Sequence, residues 1–272
     1  MWITLTNIAA QNANSGTNPA AMGSLPITGL HGAVHAALRA QGLVEPAFGM
    51  IVRIHDISPR FVGKGGLGTG NATTYQGRVF AKPVVKKKSD LLAGPNDPLP
   101  KMDFRISLAL EVSDNCDPKR LKNSLRMESF CGGRCIDISQ VSACDDVYDA
   151  LDTLQASGAG LMLTDETAKM LDHAVLIKDS ALASLVDLLA DGELSKNRKM
   201  AIGNGYRMLA APFCKADSRN PSIPHAYAEP LLGYAELHPL GEAEDQDRAL
   251  IWRSQINTKT LTCTLKGTQL CH

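Results

Sequence analysis

Apolar and hydroxyl-bearing side chains alternate at the beginning of the chain. In residues 3–8 this alternation has an imperfect period of two, which predicts a β-strand. The strand leads into the amide-rich segment 11–14 and then into a long turn rich in Gly, Ser, Thr, Asn and Pro. Apolar residues then recur at helical spacing after Pro26, so a helix is expected to begin there. The loop between the two elements is the expected functional end.

The remaining elements follow from the same criteria. Strands are predicted at residues 48–57, 104–112 and 134–141, and helices at residues 118–127 and 145–156. Asp179 is expected to cap a later helix, Thr164-Asp165-Glu166 to form an N-cap, and residues 203–206 to form a tight turn. Residues 227–237 and 250–265 are expected to be strands or irregular segments that rejoin the first domain. The order strand, helix, strand, strand, helix, strand is that of the ferredoxin-like split motif, so the predicted fold class is α+β.

Composition narrows the class of protein. With 272 residues, 44% hydrophobic and 21% charged, the chain is typical of a globular protein with a sizeable core. It has no apolar run of about 18 residues, and no signal peptide is recognisable. Seven cysteines without a secreted-scaffold spacing indicate reduced thiols and a cytoplasmic location. The net charge of zero argues against a protein that coats nucleic acid over its whole surface.

Positive charge is nevertheless concentrated in one segment. Residues 57–89 contain no acid, while they hold seven cations and six glycines; the cations are Arg60, Lys64, Arg78, Lys82, Lys86, Lys87 and Lys88. Tyr75 and Phe80 add two rings on which a base could stack. A glycine-rich cationic excursion is suited to a phosphate polymer, because each charge can find its own phosphate. The alternative is a solvated surface loop without a ligand.

No catalytic or metal-binding pattern stands out. His31 and His35 lie one helical turn apart, a spacing that can hold a metal, but no third ligand is evident and a packing or RNA-contacting pair is favoured. Cys131, Cys135 and Cys144 do not have zinc-ribbon spacing and are expected to be buried thiols. No cofactor and no metal are therefore predicted, and the protein is not expected to be an enzyme.

Five short landmarks occur in order along the chain. They are Gln11-Asn12-Ala13-Asn14 with the helix start at 28–37, the strand at 104–112, Cys131-Gly132-Gly133-Arg134-Cys135-Ile136, the group 205–209, 219–224 and 228–234, and Leu250-Ile251-Trp252. In these segments the chain resembles the second Csy protein, which is the Cas-five-type subunit of type I-F CRISPR surveillance complexes.

The resemblance implies an RRM-like (ferredoxin-like) RAMP domain at residues 1–144, with an inserted basic hairpin at 58–102. Residues 145–272 would form a helical insertion and a helical plus irregular C-terminal segment. Members bind the 5′ handle of the crRNA in antiviral defence and are not catalytic. Their partners are the large Csy subunit, the backbone subunit and the repeat endonuclease, and they meet target DNA through the assembled complex. A variant complex without a large subunit is also open.

The candidate RNA-binding residues combine amides, rings and cations. They are Gln11, Asn12, Asn14, His31, His35, Arg53, Arg60, Lys64, Tyr75, Arg78, Phe80, Lys82, Lys86, Lys87, Arg134 and Arg219. Amides can read base edges, rings can stack on bases, and arginine can hold phosphate with two parallel hydrogen bonds. Two other functions stay open: a repeat-RNA endonuclease with His31 as general base, and a backbone subunit that coats the crRNA spacer.

Overall fold

A computed structural model of the protein describes residues 1–15, 23–43, 48–61, 100–127, 129–190, 198–214, 225–240, 249–258, 260 and 262–270. Within these ranges the chain forms five helices and an eleven-stranded sheet, so it is of the α+β class. None of the described helices is long and apolar enough to cross a membrane. Residues 62–99, which hold most of the predicted basic segment, lie outside the described residues.

The elements follow one another in this order: β1 (Trp2–Asn14), α1 (Ile27–Arg39), β2 (Gly49–Phe61), β3 (Pro100–Glu111), α2 (Pro118–Met127), β4 (Ser129–Phe130), β5 (Gly133–Asp137), β6 (Gln140–Cys144), α3 (Val147–Ala156), β7 (Leu161–Asp165), α4 (Thr167–Ile177), α5 (Ala181–Ala190), β8 (Arg198–Met208), β9 (Ala228–Pro239), β10 (Ile251–Asn257) and β11 (Thr262–Thr268). The strand order is β10-β11-β8-β9-β7-β2-β3-β1-β5-β4, and β6 also pairs with β1.

The main core lies between the sheet and the first two helices. The strand predicted at β1 is confirmed, and Ile3 and Leu5 are fully buried in one core with Leu30 of α1 and Leu121 of α2. Ile8 joins the same core because β1 is irregular between Leu5 and Ile8, so the predicted period of two does not continue past Leu5. β1 pairs antiparallel with β3, and β3 pairs antiparallel with β2. The first two helices thus cover one face of the β2–β3–β1 sheet, and their apolar residues seal it from water.

The opposite face of the sheet is covered by later parts of the chain. Trp2 and Ile51 form a second core with Leu154 of α3. A third, smaller core holds Met170 of α4 and Leu185 of α5 together with β8 and β9. Helices therefore lie on both faces of the described sheet.

The single strand predicted at residues 134–141 is wrong, because the structure has two strands there, β5 and β6. Both pair with β1, but Asp137 lies opposite Ala9 while Gln140 lies opposite Thr6. Between these pairs β1 is irregular, and Asn7 has a φ of 50°. The bulge in β1 shifts its hydrogen-bonding edge, so the partner strand must break and restart.

Two further predictions in the C-terminal half need correction. The tight turn expected at residues 203–206 is instead the middle of β8, where a register shift between Gly203 and Gly205 marks a bulge against β9. The helix expected after Asp179 exists as α5, but Ser180 is the residue that caps it, since its Oγ accepts from the Ala183 N–H at 3.1 Å.

The segment expected to be helical plus irregular contains β7 to β11 as well as α3 to α5. Two of these strands return to the first part of the chain. β7 pairs with β2 at Arg53 and Ile54, and β10 pairs with β2 at Gly49 and Met50. The C-terminal strands therefore curl back onto β2, and the described sheet is continuous across both halves of the sequence.

Candidate nucleic-acid interface

A two-residue hairpin joins β4 to β5 beside the end of β1. Its central residues, Cys131 and Gly132, have φ values of 52° and 76°, as a type I′ turn requires. A Cβ built on Gly133 would lie 2.3 Å from the Gln11 carbonyl oxygen, so only glycine permits this approach to β1. A Cβ built on Gly29, in the first turn of α1, would be 3.7 Å from Cys131 Cα. The hairpin is thus wedged between β1 and α1.

The amide end of β1 is bound to this hairpin through Asn14. Its backbone N–H donates to the Cys131 carbonyl at 2.8 Å, and its Oδ1 accepts from Lys101 Nζ at 2.7 Å. Lys101 Nζ also donates to the Gly132 carbonyl at 3.3 Å. One ammonium group is therefore held next to an amide and a turn of exposed backbone, which is a suitable environment for a phosphate.

Two further predicted residues lie nearby. Gln11 is opposite Arg134 in the β1–β5 ladder, and both residues are exposed. Asn12 lies in a bulge with a φ of 55°, and its backbone N–H donates to an Asp103 carboxylate oxygen at 3.0 Å. Gln11 and Asn14 therefore lie beside the hairpin strand that carries Arg134, while Asn12 contacts Asp103 of β3.

The base of the predicted basic insertion adjoins the same place. β2 and β3 stay paired as far as Phe61 opposite Pro100, and the backbone of Arg60 lies opposite Lys101. Residues 58–61 and 100–102 of the predicted insertion are therefore strand. The other predicted residues, Lys64, Tyr75, Arg78, Phe80, Lys82, Lys86, Lys87 and Arg219, lie outside the described residues, and their roles stay predictions.

Three predicted residues do not join this group. Arg53 is 5% exposed, and its Nη1 donates to the Leu154 carbonyl under α3. His31 stacks on Phe48 with ring centroids 4.4 Å apart and an interplanar angle of 17°, while His35 is half-buried. Burial and, less strongly, the charge of His35 lower the pKa of His31 from 6.5 to about 4. We correct the expectation for Arg53, because a buried guanidinium cannot reach a phosphate, and assign His31 a packing role.

A contact between the half-buried His55 and the buried Ser107 lies on the other face of the sheet. His55 Nδ1 is 2.7 Å from the Ala159 carbonyl, which can only accept, so Nδ1 carries the proton and Nε2 accepts from the Ser107 hydroxyl at 2.7 Å. Burial lowers the pKa of His55, which keeps this arrangement neutral. Ser107 is fully buried, so its hydroxyl positions the ring and does not face a substrate. No group of three or more potential ligands among the described residues could hold a metal ion.

Two neighbours of the site were missed by the sequence reasoning. Lys101 follows the Pro-rich loop directly and stands just before the predicted strand 104–112, and no local pattern linked it to the amides of β1. Tyr206 was assigned to a turn, although it stands on β8 and lines a groove of about 360 Å³ with Asn14, Thr28, Gly32 and Cys131. Nothing local in the sequence links residue 206 to residue 14.

Comparison with known proteins gives no assignment. The chain matches no protein-family model, and no curated protein matches it with statistical significance.

The low pKa of His31 predicts a pH-dependent stability. The unfolded ring binds a proton near pH 6.5, whereas the folded ring does so only near pH 4. Stability is therefore complete above pH 6.5 and falls as the pH drops toward 4, with a slope of at most about 1.4 kcal/mol per pH unit from this group. His31→Phe keeps a ring against Phe48 but removes the titration.

Urea denaturation at pH 7.0, 5.5 and 4.5 measures the effect. The difference in free energy of unfolding between His31→Phe and wild type should move in favour of the variant as the pH falls. Carboxylates and His55 titrate in both proteins, so they cancel in this difference. Parallel stability curves would show that His31 does not lose its proton on folding.

Proposed function

We propose that this protein is a non-catalytic subunit of a type I-F CRISPR RNA-guided surveillance complex, that it binds the 5′ handle of the crRNA, and that it joins the large subunit to the backbone. The resemblance of the sequence motifs to the second Csy protein family is the starting point. The antiparallel order β2–β3–β1, continued by β5 and β6, with α1 and α2 on one face, supports the RRM-like core that this family implies.

The observation that carries the proposal is the convergence of amides and cations at one end of β1. Asn14, Lys101 and Gly132 form one hydrogen-bonded group, and Gln11 and Arg134 are paired beside it. They come from three segments that are far apart in sequence, namely β1, the start of β3 and the β4–β5 hairpin. Amide groups recognise base edges, while lysine and arginine neutralise phosphates. A short single-stranded RNA uses both kinds of contact.

The local character of the charge favours a short RNA end over a long coated polymer. The chain has 28 basic and 28 acidic residues, so a general coating of nucleic acid would meet as much repulsion as attraction. At the base of the β2–β3 arm the backbone of Arg60 lies opposite Lys101, and Lys101 contacts the hairpin. The cations predicted between residues 62 and 99 lie outside the described residues, and in our proposal they add phosphate contacts.

The surroundings of His31 favour binding over cleavage. The alternative endonuclease needs this ring as a general base that contacts RNA. In the structure the ring stacks on the buried Phe48. The α1 face that carries Gly29 and Gly32, and not the face that carries His31, lines the groove beside Asn14. A histidine that packs against the core is poorly placed to reach a 2′-hydroxyl near the hairpin.

Binding of labelled handle RNA tests the proposal. Arg134→Gln should weaken binding about tenfold, which corresponds to the loss of one charge-assisted hydrogen bond, and should reduce the salt dependence by about 0.7 in the logarithmic slope. Arg39→Gln is the matched control, because Arg39 is exposed in the last turn of α1, about 18 Å along the helix from its first turn. It should leave both quantities unchanged.

Two contrary outcomes would identify another function, and two more would refute the proposed site. Cleavage of repeat RNA that disappears in His31→Ala would establish the endonuclease. Several copies per RNA in native mass spectrometry, with no preference for the handle, would establish a backbone subunit. Equal losses in Arg134→Gln and Arg39→Gln, or no binding of handle RNA by the full chain with or without its neighbouring subunits, would refute the proposed site.

A further inference from the structure

We infer that the groove between α1 and β8 holds one unstacked nucleobase of the bound RNA and thereby sets the register of the handle. This inference rests on the proposed function. The α1–β8 groove is lined by Asn14, Thr28, Gly32, Cys131 and Tyr206, and its volume is about 360 Å³. That volume is near the lower end of the range of about 300–1,000 Å³ in which proteins bind small molecules.

One wall of the groove is flat because the facing side of α1 carries only glycine and small side chains. Gly29, Gly32 and Ala36 line it, and a Cβ built on Gly32 would meet no atom within 4 Å. The space above Gly32 is thus open, although a glycine in the middle of a helix costs stability. An aromatic plate such as a base can lie against a helix surface of this kind.

The opposite wall carries an aromatic ring. Tyr206 extends from β8 into the lining and is 41% exposed. A base between Tyr206 and the Gly32 surface would have one face on the ring and the other on the helix backbone. Stacking on an aromatic side chain is tolerant of base identity, so this wall supplies affinity and not sequence preference.

Polar groups stand at the end of the groove. Asn14 Oδ1 accepts a hydrogen bond from Lys101 Nζ. This bond fixes the orientation of the amide, so its Nδ2 group is the end that can donate to a base. The buried Oγ1 of Thr28 has no hydrogen-bond partner among the described residues, so an unsatisfied polar group lies beside the groove. The ammonium of Lys101 stands next to Asn14, where the phosphate of the same nucleotide would be neutralised.

Abasic scanning of the handle RNA combined with groove variants tests the inference. In wild type, removal of one particular base should weaken binding about tenfold. Gly32→Leu fills the open space and Tyr206→Leu removes the ring, so each should weaken binding of intact RNA to the same extent. With either variant, the abasic lesion at that position should cost nothing more, because the lost contact is the same one.

Matched controls separate the groove from the fold. Ala40→Leu adds similar bulk at the exposed C-terminal end of α1, and Tyr148→Leu removes an equally exposed ring from α3, so both should bind like wild type. Circular dichroism and thermal denaturation report whether Gly32→Leu and Tyr206→Leu are folded. Tight handle binding without any position that couples to Gly32 and Tyr206 would overturn the inference and leave the proposed function intact. Absence of handle binding by wild type would overturn both.

Discussion

Replacement of Trp252 with alanine should lower the free energy of unfolding by about 3–5 kcal/mol, the range observed for large aromatic residues in cores. Trp252 is fully buried in the main core, and its indole Nε1 donates to the Leu163 carbonyl at 3.1 Å. It also lies opposite Met50 at the point where β10 returns to β2. The substitution leaves a cavity, an unpaired carbonyl and a weakened junction between the two halves of the sheet.

Urea denaturation followed by circular dichroism measures this loss. Ile256→Ala is the matched control, since Ile256 lies on the same strand and is 73% exposed; its effect should stay within about 0.5 kcal/mol. Hydrogen exchange should also become faster in β10 and in the first residues of β2. Similar losses for the two variants would mean that β10 does not support the core.

The elements of the first 127 residues were predictable because each carries its own local signal. Alternating residues in β1 and helical spacing in α1 follow from which side faces the core, and Pro118 stands where a helix can begin. The break between β5 and β6 had no such signal. It results from the bulge at Asn7 in a different strand, and a partner's geometry cannot be read from the segment itself.

Strand β8 was hidden by glycines that serve close packing. Gly203-Asn204-Gly205 has the composition of a turn, yet a Cβ on Gly205 would lie 2.4 Å from the Cys263 carbonyl oxygen of β11. The glycine is there because another strand approaches, and that strand begins more than fifty residues later. Sequence patterns do not distinguish a glycine that permits a turn from one that permits contact.

The candidate site was predictable in its chemistry but not in its assembly. The amides of residues 11–14 and the Gly132–Gly133 turn were each recognisable as unusual. Their contact depends on the pairing of β1 with β5, and the contribution of Lys101 depends on the pairing of β1 with β3. The buried position of Arg53 likewise depends on α3. Residue type indicates what a side chain can bind, whereas non-local packing decides whether it is accessible.

Gly133→Ala should abolish most of the handle binding while the protein remains folded. The new Cβ would lie 2.3 Å from the Gln11 carbonyl oxygen and 2.5 Å from the Ala13 nitrogen, and these are backbone atoms that cannot rotate away. The hairpin must therefore withdraw from β1, at a cost typical of overpacking, about 1–3 kcal/mol. Asn14 and Lys101 then lose their partners on the hairpin, so binding should fall about a hundredfold, as for two charge-assisted hydrogen bonds.

Leu154→Ala provides the comparison, because Leu154 is fully buried in the second core, which does not include the hairpin. It should lower the free energy of unfolding by about 2–5 kcal/mol and leave RNA affinity unchanged. If Gly133→Ala lowered stability but bound handle RNA like wild type, the hairpin would be a structural element only, and the RNA would have to contact another surface. A loss of binding in Gly133→Ala but not in Leu154→Ala requires that the contact between the hairpin and β1 forms the binding site, because both variants lose stability and only Gly133→Ala displaces the hairpin.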